Sequence, residues 1–322
     1  MRTGPHNGSE SVADLGEFGL IRRLTDGRPQ PAVTLLGPGD DAAVVQAADG
    51  RVVASTDVLV EGVHFRLDWS TPEQVGRKAV AVNLADIAAM GAIPTAVLVG
   101  IACPAKTAAS MIDDLVGGLW QEAAKVRIGV VGGDVVNAEH LVVSVTALGD
   151  LEGRPPVTRG GALPGDVLAV CGRLGWAAAG LAVLGRGFRS PVTVVAAQRT
   201  PEPPYAAGPQ AALAGATAMI DVSDGLLADL GHIATASNVA IDVQSDLVEV
   251  PQRLVDVSTA LGADARHWVL TGGEDHALAA TFPDPRGVPD GWTTIGTVTR
   301  GNKVTVDGAR YEAPGGWQHW SR

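Results

Sequence analysis

The acidic side chains of this chain gather in five short strings that could share a cation: Asp40-Asp41, Ser55-Thr56-Asp57 followed by Glu61 and His64, Asn83 to Asp86, Gly133-Asp134, and Asp221 with Ser223 and Asp224. Taken singly, an aspartate at a turn or strand end is ordinary turn and capping chemistry. Asp86 resists that reading. It shares one face of an otherwise apolar helical segment with Asn83, and no basic residue follows on that face. A carboxylate so placed pays a large desolvation cost unless something pairs it. Asp40, Asp57, Asp134 and Asp221 have the same problem, and the chain has only four lysines, at 78, 106, 125 and 303. A shared partner of high positive charge satisfies all of these acids, and a donor set made of oxygens suits Mg²⁺ rather than zinc. None of the lysines follows a glycine, which excludes a Walker A loop, and no G-x-G-x-x-G, H-E-x-x-H or G-x-S-x-G occurs. Acids without a phosphate-cradling lysine point to divalent ions that do the electrostatic work on a phosphate substrate.

The rest of the composition narrows the field. A formal charge of −11, from 24 basic and 35 acidic residues, opposes a polyanion, so nucleic acid is not expected as a partner. At 322 residues, 46% of them hydrophobic, the chain can bury the core of two domains. Cys103 and Cys171 sit in apolar strand-like strings, too few for a disulfide framework or a zinc site, which fits a reducing cytoplasm. The opening residues have no apolar h-region, so no targeting signal is expected, and the first dozen are read as frayed. The most apolar stretch, 79–103, is interrupted by Asn83, Asp86 and Pro94, so no membrane span is expected.

The elements that must hold these acids alternate between strand and helix through the first half. Strands are expected at 51–60, 95–102, 127–132 and 141–148, with helices over 71–92 and 107–125. The first of these helices opens with Thr71, Pro72 and Gln74 in capping-box spacing and closes at Gly91. Asp57 shares strand parity with Ser55 and faces away from Thr56. After a loop with Gly153, Pro155 and Pro156, the second half predicts helices at 176–184, 207–215 and 225–237. Its strands are expected within "RGGALPGDVLAVCGRLG" (159–175) and at 218–222, 239–243, 267–271, 276–282 and 292–298. Interleaved elements without long Val/Ile runs predict a mixed-sheet α/β (α+β) fold in two domains, 1–153 and 154–322.

In this order, "GEFGLI", "GDDAAV", "STDVLVEGVHF", "VNLADIAAMGA", "GGD", "TRGGALPGD", "IDVSDGL" and "TGGEDHAL" cover about residues 16–282 and resemble the thiamine-monophosphate kinase family of the aminoimidazole ribonucleotide synthetase superfamily. The resemblance implies ATP- and Mg²⁺-dependent phosphorylation of thiamine monophosphate to the diphosphate by direct transfer, with several Mg²⁺ ions per site. It also implies a homodimer formed through N-terminal domains that bind nucleotide and metal, with C-terminal domains closing the site. Position by position, Asp40, Ser55, Thr56, Asp57, Asp86, Asp134, Asp221 and Asp224 match metal ligands, Asp57, Asp86 and Asp134 being those on which turnover depends. Gly133, Asp134, Arg159 and Ser223 match nucleotide contacts. His64 and Glu274 match substrate contacts, as does an aromatic residue of the tail "GGWQHW", Trp317 or Trp320. The chain departs from the family at His276, where an aromatic residue is usual, and at Ala277, where a bulkier one is.

Cysteine position separates the chain from two superfamily members. Selenophosphate synthetase needs a reactive residue near the N-terminus, and here no cysteine precedes Cys103. The hydrogenase-maturation member carries a cysteine in its C-terminal tail, and the last one here is Cys171. "STDVLVEGVHF" is closer to the thiamine enzyme than to the purine-pathway cycloligase, and acids at every metal position argue against a silent nucleotide-binding regulator.

Overall fold

The computed structural model describes residues 10–36 and 44–311, in two compact units. One comprises Met1–Asn83 and Pro94–Asp150; the other comprises Leu84–Ile93 and Leu151–Arg322.

In the first unit, helix α1 (Val12–Thr25) begins at a capping box in which the Ser11 hydroxyl accepts from the Asp14 N–H and Asp14 accepts from the Ser11 N–H. Structure therefore starts inside the dozen residues read as frayed, of which residues 1–9 lie outside the described ones. Strands β1 (Thr34–Leu36) and β2 (Val44–Val45) pair antiparallel. They are followed by β3 (Val53–Val60), α2 (Pro72–Ala89), β4 (Ile93–Cys103), α3 (Ala109–Lys125), β5 (Gly129–Asn137) and β6 (Val142–Asp150). The four-stranded sheet has the order β3-β6-β4-β5. β3 and β6 run antiparallel; β4 and β5 run parallel, which requires a crossover, supplied by α3.

Helix α2 opens as its sequence dictates: the Thr71 hydroxyl accepts from the Gln74 N–H at 3.3 Å and Gln74 Oε1 accepts from the Thr71 N–H at 3.0 Å. It ends where the Gly91 N–H reaches the Ala88 carbonyl at 2.8 Å. Val75, Ala79, Val80, Ala81, Leu84, Ala85, Ile87 and Ala88 of α2 are all fully buried, so the helix is covered on almost every side. Two glycines let α2 and α3 approach closely. A Cβ at Gly76 would run into the Leu115 carbonyl oxygen, and one at Gly118 into that of Glu73.

The second unit contains β7 (Val167–Cys171), α4 (Trp176–Gly185), α5 (Val192–Arg199), α6 (Ala207–Leu213), β8 (Ala218–Val222), α7 (Leu226–Ser237), β9 (Val239–Val243), α8 (Gln252–Leu261), α9 (Ala265–Thr271), β10 (Ala277–Phe282), β11 (Thr293–Arg300) and β12 (Val304–Val306). Its six-stranded sheet, β12-β9-β11-β7-β10-β8, is antiparallel except where β12 joins β9. Ala88 and Ala89 at the end of α2 pack into its core with Ala211, Met219, Leu278 and Phe282. Both sheets are mixed, the fold class that the interleaved pattern predicts.

One expected strand is a helix. Residues 267–271 form the body of α9, started by the Asp264 carboxylate accepting from the Arg266 N–H at 2.9 Å, with Trp268, Val269 and Leu270 buried. A short apolar run has no periodicity to distinguish helix from strand, and here the cap decides. Helix α5 went unforeseen because it opens with β-branched Val192, Thr193, Val194 and Val195. Packing overrides that weak propensity: Gly180 of α4 lies against the Val194 carbonyl, where a Cβ would not fit.

The α2–α3 contact gives a paired test. Gly118→Ala is expected to cost about 1–3 kcal/mol in urea denaturation, because the added methyl meets backbone rather than a movable side chain. Gly117→Ala, with open space around its Cβ, should be neutral or stabilising by up to about 1 kcal/mol.

Candidate functional site

Along β3 exposure alternates, with Ser55 and Asp57 on the half-buried side that includes buried Leu59, and Ala54, Thr56 and Val58 exposed. The Thr56 hydroxyl donates to the Val145 carbonyl at 3.0 Å and accepts from the Thr146 hydroxyl at 3.1 Å. Its side chain therefore belongs to a cross-strand pair and does not join Ser55 and Asp57. The Asp57 N–H, on this edge strand, donates to Asn83 Oδ1 at 2.9 Å, and Asn83 Nδ2 donates to the Ala79 carbonyl at 2.9 Å. Asn83 is fully buried and so ties α2 to β3 at the candidate ligand. Its place on the polar face of α2 was legible; its use as a backbone clamp was not, because that depends on which strand lies alongside.

His64 lies in the turn after β3. Its Nδ1 accepts from the Val60 N–H at 3.0 Å, which leaves Nε2 as the protonated nitrogen of the neutral ring. The buried Lys78 holds the same turn by donating to the His64 carbonyl at 3.2 Å. Asp134 is exposed on β5, at the opposite edge of the sheet from β3, with two strands between them. A Cβ at the preceding Gly133 would strike the Val99 carbonyl, so only glycine lets β5 approach β4 there. The Asp134 carboxylate accepts from the Val135 N–H at 2.8 Å.

In the second unit, Asp86 is half-buried between fully buried Ala85 and Ile87 on α2. Arg159 is exposed in a loop held by the Ser237 hydroxyl, which donates to its carbonyl at 2.7 Å, and its guanidinium has no hydrogen bond or ion pair among the described residues. Asp221, Ser223 and Asp224 come together at the turn from β8 into α7. The turn depends on Gly225, whose φ of +121° and proximity to the Thr271 carbonyl exclude a side chain. The adjoining segment is laced to it: the Glu274 N–H donates to the Ser223 carbonyl at 2.8 Å and the His276 N–H to that of Val222 at 3.0 Å. Asp40, Trp317 and Trp320 lie outside the described residues.

The turn also recruits Asp229, which the sequence reading passed over. Its Oδ2 accepts from the N–H groups of Asp224 and Gly225, each at 3.0 Å. Burial first, then the charge of Asp221, pushes the Asp229 carboxyl up to about 7, with Asp224 adding to the shift and the two N–H donors opposing it. The available signal was an acid in the first helical turn after Ser-Asp-Gly. Ligand atoms of Asp224, Asp229 and His232 lie within 4.8 Å of one another. Carboxylate and hydroxyl oxygens prevail across both units, a donor chemistry that fits Mg²⁺.

Residues 39–151 match the family model of the AIR synthase related protein N-terminal domain, and residues 164–308 that of the C-terminal domain. The thiamine-monophosphate kinase of Mycobacterium tuberculosis is 54% identical over 96% of this chain and 93% of its own length. The crystal structure of the Stenotrophomonas maltophilia thiamine-monophosphate kinase superposes with a TM-score of 0.78, at 33% identity over 90% of this chain and 95% of that one. A solved complex of AaThiL with AMPPCP and TMP gives 0.77, at 32% identity over 98% and 100% of the two chains. Two mixed-sheet units carrying acids at strand ends are thus those of the AIR synthase related class. Within it, the chain belongs to the thiamine-monophosphate kinase family.

Next to the turn, Asp275 is buried, and its Oδ1 accepts from the Ala177 N–H at the start of α4 at 2.9 Å. Burial pushes its carboxyl up to about 7, against the pull of the Ala177, Gly175 and Trp176 N–H groups. A folded-state value above the ordinary 3.8 means that the folded protein holds this proton more tightly than the unfolded chain. The resulting stability is fully present below about pH 4 and is lost as pH rises through about 7. Melts of metal-free protein between about pH 5 and pH 8 should therefore show a smaller fall in melting temperature for Asp275→Asn than for the unaltered chain. Equal slopes would refute the assignment.

Proposed function

We propose that this protein transfers the γ-phosphoryl group of ATP to the phosphate of thiamine monophosphate, giving thiamine diphosphate and ADP. Membership of the thiamine-monophosphate kinase family carries this reading, and the relative solved with AMPPCP, an ATP analogue, and TMP supports the choice of both substrates. A phosphate oxygen of thiamine monophosphate attacks the γ-phosphorus as the bond to the β,γ-bridging oxygen breaks. No covalent intermediate on the protein is needed.

The metal we assign is Mg²⁺, as several ions shared among Asp40, Ser55, Asp57, Asp86, Asp134, Asp221 and Asp224; the Thr56 hydroxyl, engaged with β6 on the opposite face of β3, drops out of the set. When bound, the metal supplies positive charge against the phosphates of both substrates. The protein's own residues bind and orient. Asn83 fixes the backbone at Asp57, and Arg159, with no acid partner among the described residues, is the side chain we assign to the nucleotide phosphates, together with Gly133, Asp134 and Ser223. His64, through Nε2–H, and Glu274 are assigned to thiamine monophosphate, and Trp317 to its cationic thiazolium ring.

A homodimer through the first unit is part of the proposal. Its support is the sheet face opposite fully buried Val143, Val145 and Ala147, where Ala54, Thr56 and exposed Val58 leave a small, weakly polar surface. We also propose a cytoplasmic location, consistent with two free thiols; no described helix is long and apolar enough to cross a membrane.

A coupled assay offered thiamine, thiamine monophosphate and aminoimidazole precursors tests the reading: turnover is expected with thiamine monophosphate, and its absence rejects the proposal. Asp57→Asn, Asp86→Asn and Asp134→Asn should each fold, keep or raise the metal-free melting temperature, and lose at least about a hundredfold in kcat. Trp317→Ala should raise the KM for thiamine monophosphate by about two- to thirtyfold and leave that for ATP nearly unchanged. If Trp320→Ala alone shows the selective effect, the aromatic contact is Trp320.

A further inference from the structure

The segment from Gly272 to His276 is shaped to the end of β8 more closely than a connection between α9 and β10 requires. Glu274 and His276 both adopt left-handed backbone, with φ of 71° and 53°. Side chains other than glycine rarely take that conformation unless the surroundings over-determine it. Here they do. Backbone hydrogen bonds from Glu274 and His276 to Ser223 and Val222 clamp the segment, and a Cβ at Gly273 would collide with the Ser223 carbonyl. The result is to deliver the His276 ring to Asp221: Nδ1 lies 3.0 Å from Oδ2, with both residues about 95% buried.

We propose that His276 is a positioning residue for Asp221, its Nδ1–H bond fixing the carboxylate so that Oδ1 is presented to the cation. A carboxylate oxygen can only accept, so Nδ1 carries the proton. Oδ2 is thereby committed, whereas Oδ1 makes no hydrogen bond among the described residues. Asp221 also stands close enough to Asp229 for its charge to be felt there, and Asp224 adds to the same field. Without a donor, a buried carboxylate facing two other acids would rotate or drift away from them. One charge-assisted hydrogen bond holds it in place, in the way that outer partners orient metal ligands in general. This inference rests on the assignment of Asp221 as a metal ligand.

The test is calorimetric titration of Mg²⁺ into the full-length protein in the presence of AMPPCP, alongside thermal unfolding and steady-state kinetics. His276→Phe keeps a flat ring but has no donor, and His276→Asn can put an amide N–H where Nδ1–H stands. The expected result is about tenfold weaker Mg²⁺ binding for His276→Phe, recovery of most of it in His276→Asn, and a KM for thiamine monophosphate changed less than twofold in both. Equal Mg²⁺ affinity in His276→Phe and the unaltered protein overturns the proposal, as does equal weakening in the Phe and Asn variants. Should His276→Phe unfold early, His276→Asn against His276→Leu at a temperature where both are folded makes the same comparison, with equal affinities again overturning it. Asp221→Asn separates the two levels. If it leaves Mg²⁺ binding intact, the ligand assignment falls and His276 with it; if it abolishes binding while His276→Phe does not weaken it, only the inference about His276 falls.

Discussion

Like charges brought together where water is scarce are the constraint around which the rest of this structure is arranged. At about 4 Å and an effective dielectric near 20, two unit charges repel by roughly 4 kcal/mol, a large fraction of what holds a domain folded. The turn after β8 meets this with Asp221, Asp224 and Asp229, and the cost appears as an Asp229 carboxyl pushed up to about 7. What offsets it locally is mostly backbone: the N–H groups of Asp224 and Gly225 aimed at Asp229, with an imidazole from the neighbouring segment aimed at Asp221. Among the described residues, neither lysine nor arginine is a hydrogen-bond donor to Asp221 or Asp229.

Backbone can serve in this way only if chain segments come very close, which explains why glycines recur where the acids are. Gly225 lies against the Thr271 carbonyl, Gly273 against that of Ser223, and Gly133 against that of Val99. Each contact sits beside a candidate ligand or substrate residue: Asp224, Glu274 and Asp134. Any side chain there would push the segment away by the width of a methyl group and undo hydrogen bonds at 2.8–3.0 Å. Asn83 solves the same problem with a side chain, reaching from α2 to an edge-strand N–H that has no ladder partner on that side.

What could be read from the sequence follows from how local each signal is. The capping box of Thr71 and Gln74 and the alternation along β3 are encoded within a few residues, and the structure contains both. The apolar run 267–271 reads as a strand on its own, and it is helical because the deciding feature, the Asp264 cap, lies outside the run. Asp229 and the clamp by Asn83 were missed for a different reason. Their roles are set by partners that only the fold brings alongside, five residues away for the Asp224 N–H and 26 for Asp57. The departure at His276 was visible as a residue type, but its bond to Asp221, 55 residues away, was not.

The same constraint bears on the choice of reaction. A kinase whose acceptor is itself a phosphate must bring two anions together, and a chain with 35 acidic against 24 basic residues is poorly supplied to do so with its own cations. The Arg159 guanidinium has no acid partner among the described residues, but one guanidinium cannot neutralise a triphosphate and a monophosphate. Buried acids held by backbone donors rather than by lysines or arginines keep their capacity for cations, and a net charge of −11 raises the local concentration of those cations. On this argument the unfavourable clustering of carboxylates is not a flaw that the fold tolerates. Under the proposed Mg²⁺ assignment it is stored repulsion that bound divalent ions would relieve, and their charge would oppose the repulsion between the two phosphates.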